Sequence, residues 1–183
     1  MKATGILIAQ HRAIEALFEE LTRETRRTAR ARAASHLAEE LIAHMAGEEA
    51  IFYPAVRRVL RGDLRSLQSF GSTPSGGAPT EEPAIDTHFM LRVQLRRVLA
   101  TRVQEPAFEP RCEALRLLFA QHVEAEEMAL FPRVEAALAD SQLETLGADV
   151  LGSRPPIWVV TTEARTLIRS SKAVRGVRLP AVR

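Results

Sequence analysis

Along the first 140 residues apolar positions recur at steps of three and four, the spacing that places them on one face of a helix. Leu7, His11, Ile14, Phe18 and Leu21 form one such face. Leu37, Leu41, His44, Glu48, then Phe52 or Ile51, Ala55 and Val59 form a second. A third carries His88, Leu91, Leu95 and Val98, and a fourth Leu115, Phe119, His122, Glu126, Leu130 and Val134. Histidine and glutamate thus occupy positions where the pattern calls for core residues. Local chemistry predicts where the helices break. Gly62 to Pro83, rich in Gly, Ser and Pro, reads as a long flexible connection that holds no regular helix. Pro106 and Pro110 bracket another turn, with Pro110 suited to the first turn of the helix that follows. The first break has no Gly or Pro and falls near Thr25 to Ala31, since a single helix over residues 4–61 would be far longer than a small domain uses. Ser141 and Glu144 have capping-box spacing for a short fifth helix. The expected fold is all-α: an up-down-up-down four-helix bundle with a short extra helix.

A length of 183 residues fits one core with an appendage. With 46% hydrophobic, 26% charged and 5% aromatic residues, the chain is too apolar for disorder throughout and too poor in aromatics for an all-β fold. The net charge of +2 hides a division: residues 1–153 carry −4 and residues 154–183 carry +6. This predicts a bundle domain over 1–153 and a basic C-terminal extension over 154–183. In that extension Ala164, Leu167, Ile168 and Val174 alternate with basic residues as in a short amphipathic helix, and Trp158-Val159-Val160 could dock beside it. Packing on the bundle or solvation is the favoured role of the tail, with a protein partner as the alternative; no aromatic-basic motif supports nucleic-acid contact. The single Cys112 cannot form an internal disulfide. Residues 5–9 are too short for a signal-peptide core and no segment is long and apolar enough to span a membrane, so a cytoplasmic location is expected.

The chain also repeats itself. His44-Met-Ala-Gly-Glu48-Glu49-Ala-Ile-Phe-Tyr-Pro54 aligns without gaps to His122-Val-Glu-Ala-Glu126-Glu127-Met-Ala-Leu-Phe-Pro132, sharing His, both Glu and Pro. Another His precedes each copy: His11 lies 33 residues before His44, and His88 lies 34 before His122. In an antiparallel hairpin, residues level with one another are equidistant from the turn. The midpoints fall between Arg27 and Thr28, at Glu105 and, for His44 with His88, at Ser66 in the long connection. All four histidines can therefore share one layer, with Glu48 and Glu126 about 6 Å further along the same faces.

Two carboxylates buried without compensation would cost several kcal/mol each. A pair of metal ions roughly 3.5 to 4 Å apart removes that cost, each taking two histidines and sharing both carboxylates. A solvent-derived oxo or hydroxo bridge completes five donors per ion and leaves one open position for a small ligand. Imidazole and carboxylate donors without thiolate favour iron, ahead of manganese or zinc.

The order His, His-x-x-x-Glu, His, His-x-x-x-Glu, with Phe-Tyr-Pro and Leu-Phe-Pro endings, resembles the hemerythrin-like HHE cation-binding domains over about residues 4–150. The resemblance implies a non-haem di-iron four-helix bundle whose metal ligands are His11, His44, Glu48, His88, His122 and Glu126. Relatives bind dioxygen, sense oxygen or iron, or respond to nitrosative and oxidative damage. Oxygen-carrying members usually offer two histidines four residues apart on the third helix, whereas here Arg92 follows His88 at that spacing. A seventh ligand is then lacking unless Glu15 supplies it, which points to the regulatory and stress-response branch. Arg92 is free to bind an anion or pair with an acid.

Glu49 and Glu127 point about 100° away from the ligands and read as hydrogen-bond acceptors behind them or as surface charges. His36 reads as an ordinary polar residue and Cys112 as an inert thiol. Pro54 and Pro132 are expected to kink their helices, while Phe18, Phe52, Tyr53, Phe119 and Phe131 are core. The leading expectation is a di-iron protein that binds dioxygen, nitric oxide or peroxide in oxygen or iron sensing or stress response. A peroxidase-like or oxidase-like enzyme is the second reading, and a histidine phosphotransfer bundle a remote third.

Overall fold

The computed structural model describes residues 1–68 and 82–152. Helix α1 (Ala3–Arg23) is followed by α2 (Arg27–Gly47), a π-helical turn (Glu48–Phe52) and α3 (Tyr53–Gln68). Helix α4 (Glu82–Leu99) leads to α5 (Phe108–Ala125), a second π-helical turn (Glu126–Leu130), α6 (Phe131–Ala137) and α7 (Asp140–Gly152). Around the bundle α1 packs on α2 and α5, and α4 packs on α5 and α2. The first reversal is tighter than the sequence suggests and needs neither Gly nor Pro. Glu24 and Arg26 turn the chain in extended backbone, and the Glu24 carboxylate accepts the Arg26 N–H at 2.8 Å.

The four predicted faces are buried with one informative exception. After Phe52 the inward residues are Tyr53, Val56 and Leu60, while Ala55 and Val59 are only partly covered. The cause lies in the π-turns. Proline has no N–H, so Pro54 and Pro132 cannot continue the α-helical ladder. Instead the amides of Tyr53 and Phe131 donate five residues back, to the carbonyls of Glu48 and Glu126. Each wide turn adds one residue and advances the inward face by about 100°. The proline signal is thus answered by a widened turn at the glutamate of each repeat.

Two further expectations need correction. Of the connection expected over Gly62 to Pro83, residues 62–68 continue α3 and Glu82 and Pro83 open α4, so Ser66 is helical; residues 69–81 lie outside the described residues. The fifth helix starts at Asp140 rather than on a Ser141 cap, and Gln142 closes its first turn by accepting the Ala139 N–H at 2.9 Å. It packs on α1 so closely that a Cβ on Gly147 would stand 2.5 Å from the Met1 carbonyl oxygen. The expected helix in the tail, with the 154–183 extension itself, lies outside the described residues.

Burial divides the interior into two apolar clusters. One, around Phe18, Leu41, Leu95, Leu115 and Phe119, fills the end of the bundle that holds the α1–α2 and α4–α5 reversals. The other, around Leu7, Phe52, Val56, Phe131, Val134 and Leu143, fills the opposite end beside α7. Between them lies a buried layer of His11, His44, Glu48, His88, His122 and Glu126.

Candidate metal centre

All six residues singled out by the repeat converge in that layer. His11, His44, Glu48, His122 and Glu126 each present a donor atom within 4.8 Å of the other four. His88 stands at the edge of this group, its Nε2 3.1 Å from Glu48 Oε2. The rings pair within each repeat: His11 lies against His44 and His88 against His122, both with centroids 4.8 Å apart. Glu48 Oε2 lies 3.2 Å from His44 Nε2, and Glu126 Oε2 lies 3.3 Å from His11 Nε2 and 3.5 Å from His122 Nε2. The four imidazoles are buried, the reverse of what phosphotransfer to an accessible histidine requires.

The outer edges of three imidazoles are tied down. A carboxylate can only accept, so its contact with a ring nitrogen places the proton there. His88 Nδ1–H donates to Glu49 Oε1 at 2.8 Å, and His11 Nδ1–H donates to Glu127 Oε1 at 2.9 Å. His44 Nδ1–H donates to the Gln10 carbonyl oxygen at 2.9 Å. In its neutral form each of these rings turns an unprotonated Nε2 toward the centre, the form in which imidazole ligates a metal. Glu49 and Glu127 are acceptors behind the histidines, as their offset of one residue from Glu48 and Glu126 suggests.

Electrostatics also favour a cation. Burial and the adjacent Glu126 push the Glu48 carboxyl well above its ordinary range. Burial acts on Glu126 in the same sense, but the adjacent His11 and His122 rings and the Tyr53 hydroxyl outweigh it and hold Glu126 at about 2. Of the two coupled carboxyls, Glu48 is the one whose surroundings favour the protonated form. Burial lowers His122 to about 4 and His44 well below its usual value, so both are neutral at pH 7. Glu48 Oε1, Glu126 Oε2 and His11 Nε2 are buried without a hydrogen-bond partner. Neutral imidazoles, paired carboxylates and buried acceptors lacking donors are the chemistry that divalent or trivalent ions satisfy. The residues fit such a group.

One residue of the centre was read only as core. Tyr53, in the first residue after the first π-turn, is buried, and its hydroxyl enters the polar layer. It donates to Glu126 Oε1 at 2.7 Å, and its oxygen lies 3.3 Å from His88 Nε2 and 3.5 Å from Glu48 Oε2. Burial and the two carboxylates raise its ionisation far above the ordinary value, so it stays a donor. The equivalent residue of the second repeat, Phe131, stacks on His11 with an interplanar angle of 6°. The signal was present in the repeat: Tyr53 aligned with Phe131 is the polar member of an otherwise apolar pair.

The other expectations sort cleanly. Glu15 turns outward and accepts from Arg12 at 3.0 Å through both oxygens, so it does not join the cluster. Arg92 pairs with an acid, donating to both oxygens of Glu49 at 2.7 and 3.1 Å. His36 is exposed near Glu40. Cys112 is half-buried, and burial pushes its thiol to about 11, which makes it unreactive. No helix among the described residues is long and apolar enough to cross a membrane.

Comparisons with known proteins agree with this geometry. Residues 2–70 match the family model of the hemerythrin HHE cation binding domain. The fold matches the crystal structure of a hemerythrin HHE cation binding domain-containing protein from Mycobacterium kansasii, with a TM-score of 0.70 and 20% identity over 93% of this chain and 99% of that one. No curated protein matches the sequence. The first helical pair thus matches the hemerythrin HHE cation binding domain model, and the chain as a whole shares the fold of that solved structure.

Proposed function

We propose that His11, His44, Glu48, His88, His122 and Glu126 hold two iron ions, and that the chain binds dioxygen, nitric oxide or peroxide at their open positions as an oxygen or iron sensor or a stress-response protein. The observation that carries this reading is the convergence of neutral Nε2 atoms and two carboxylates in one buried layer. Bound iron would supply electron transfer and Lewis acidity; the protein supplies orientation, an apolar surround and control of protons. His11 and His44, paired in one repeat, and His88 and His122, paired in the other, would supply the imidazole donors, and Glu48 and Glu126 the carboxylates. Apolar residues on both sides, Phe119 and Phe131 among them, restrict water. We assign the bundle domain to residues 1–153 and a cytoplasmic location, with the basic tail as a separate extension.

Tyr53 favours a second reading, a redox enzyme. A buried phenol that donates into the centre holds a proton at Glu126 Oε1, within hydrogen-bonding reach of the polar layer. Stopped-flow mixing of the reduced, iron-loaded protein with dioxygen, nitric oxide and peroxide separates the two. A reversible adduct is the expected outcome for binding, many turnovers per chain that slow in Tyr53→Phe would establish the enzyme, and no spectral response to any of the three would overturn both.

A further inference from the structure

We infer that Glu49 and Glu127 are crossed braces: each carboxylate, carried by one helical pair, fixes the imidazole orientation of the first histidine of the other pair. Glu49 leaves the π-turn after α2 and reaches His88 on α4; Glu127 leaves the π-turn after α5 and reaches His11 on α1. Both are the second glutamate of the repeated His-x-x-x-Glu-Glu, so one sequence unit provides an inward carboxylate and, one residue on, a carboxylate for its neighbour. The wide turn makes this possible by presenting two successive glutamates to two adjacent seams of the bundle.

Arginines hold the braces from outside. Arg92 grips Glu49 through both oxygens, while Arg12 grips Glu127 through the oxygen that His11 leaves free. Each His-Glu-Arg chain runs from a fully buried ring to an arginine nearer the surface, half-exposed in Arg12 and mostly covered in Arg92. The position where oxygen carriers of the family usually keep a histidine is thus given to a residue that steadies an existing one. Gln10 braces His44 across the α1–α2 seam in the same manner, whereas His122 Nδ1, beside the α4–α5 seam, has no hydrogen-bond partner among the described residues. The alternative, that Glu49 and Glu127 are only surface partners of arginines, predicts no effect on the rings.

The inference concerns how these rings are held and rests on the metal reading only for its purpose, so the first readout needs no metal. Long-range proton-nitrogen NMR of the full chain, histidine-labelled and stripped of metal, should find His11 and His88 protonated at Nδ1. Glu49→Ala should move His88 to a tautomer mixture and leave His11 unchanged; Glu127→Ala should do the reverse. Glu49→Gln retains an acceptor and should restore the His88 tautomer, and Arg92→Met should loosen it, which keeps the test open should an alanine variant fail to fold. In cobalt titration Glu49→Ala should bind about 10- to 100-fold more weakly. A response of His44 rather than His88 to loss of Glu49, or no response of either ring, would overturn the crossing. A wild-type chain that takes up no metal would instead overturn the proposed function and leave the tautomer result standing.

Discussion

The two helical pairs are built from one motif but surround the centre differently. In the first, the residue after the π-turn is Tyr53, whose hydroxyl joins the polar layer; in the second it is Phe131, which stacks on His11 and contributes only apolar surface. The residue four beyond the first histidine is outward-facing Glu15 in one pair and Arg92, clamped on Glu49, in the other. The carboxylates differ as well: burial and Glu126 push Glu48 upward, while its neighbours hold Glu126 low. A duplicated motif therefore yields two unequal halves of the buried layer. The polar group faces the His88 side, and the His11 side is closed by aromatic rings.

Breaking the apolar member should do the most damage to stability. Phe131→Ala removes a buried ring from the cluster beside α7, and urea unfolding should register a loss of about 3–5 kcal/mol. Tyr53→Phe keeps the ring and deletes the hydroxyl, so the loss should be smaller, about 1–2 kcal/mol, from the donor taken from Glu126.

The carboxylates should separate in the metal-free protein. Glu126→Gln deletes the charge that accepts from Tyr53 and should cost about 1.5–3 kcal/mol. Glu48→Gln removes a charge that burial and Glu126 already disfavour, and its unfolding midpoint should not fall. Equal losses in the two variants would remove the inequality between them.

Acid should act through the histidines. The folded-state value of His122 lies at about 4 against an ordinary 6.5, so its contribution to stability is fully present above 6.5 and is lost as pH falls through about 4. His44 acts in the same direction. Urea midpoints of the metal-free chain across this window should decline on acidification, and His122→Asn should flatten the decline. The smallest effect is expected at Glu15: Glu15→Ala should leave metal content unchanged and stability within about 0.5 kcal/mol.

The bundle was legible because apolar spacing is a direct record of burial, and the centre because histidines matched about two reversals can meet in one layer. What escaped notice followed from a change of helical period. A constant step of 3.6 residues carries the second face to Ala55 and Val59, but the π-turn forced by Pro54 moves it to Tyr53, Val56 and Leu60. That same shift turns the Tyr53 hydroxyl inward, which composition cannot reveal. The glycine in 62–68 suggested a loop, yet a single Gly62 in a helix costs only about 1 kcal/mol relative to Ala, and α3 runs through it. Helix α7 was found but its cap was not, because Gln142 rather than Ser141 supplies the side chain that closes its first turn.

The central claim is that the buried histidines and carboxylates form one dinuclear metal site. Metal analysis of the purified chain and of Glu48→Ala, with helicity measured on the same samples, tests it most directly. The account predicts close to two iron ions per wild-type chain, and a variant that keeps its helices but loses its metal. A folded wild-type chain that cannot take up iron, or a Glu48→Ala variant with undiminished iron, would contradict it.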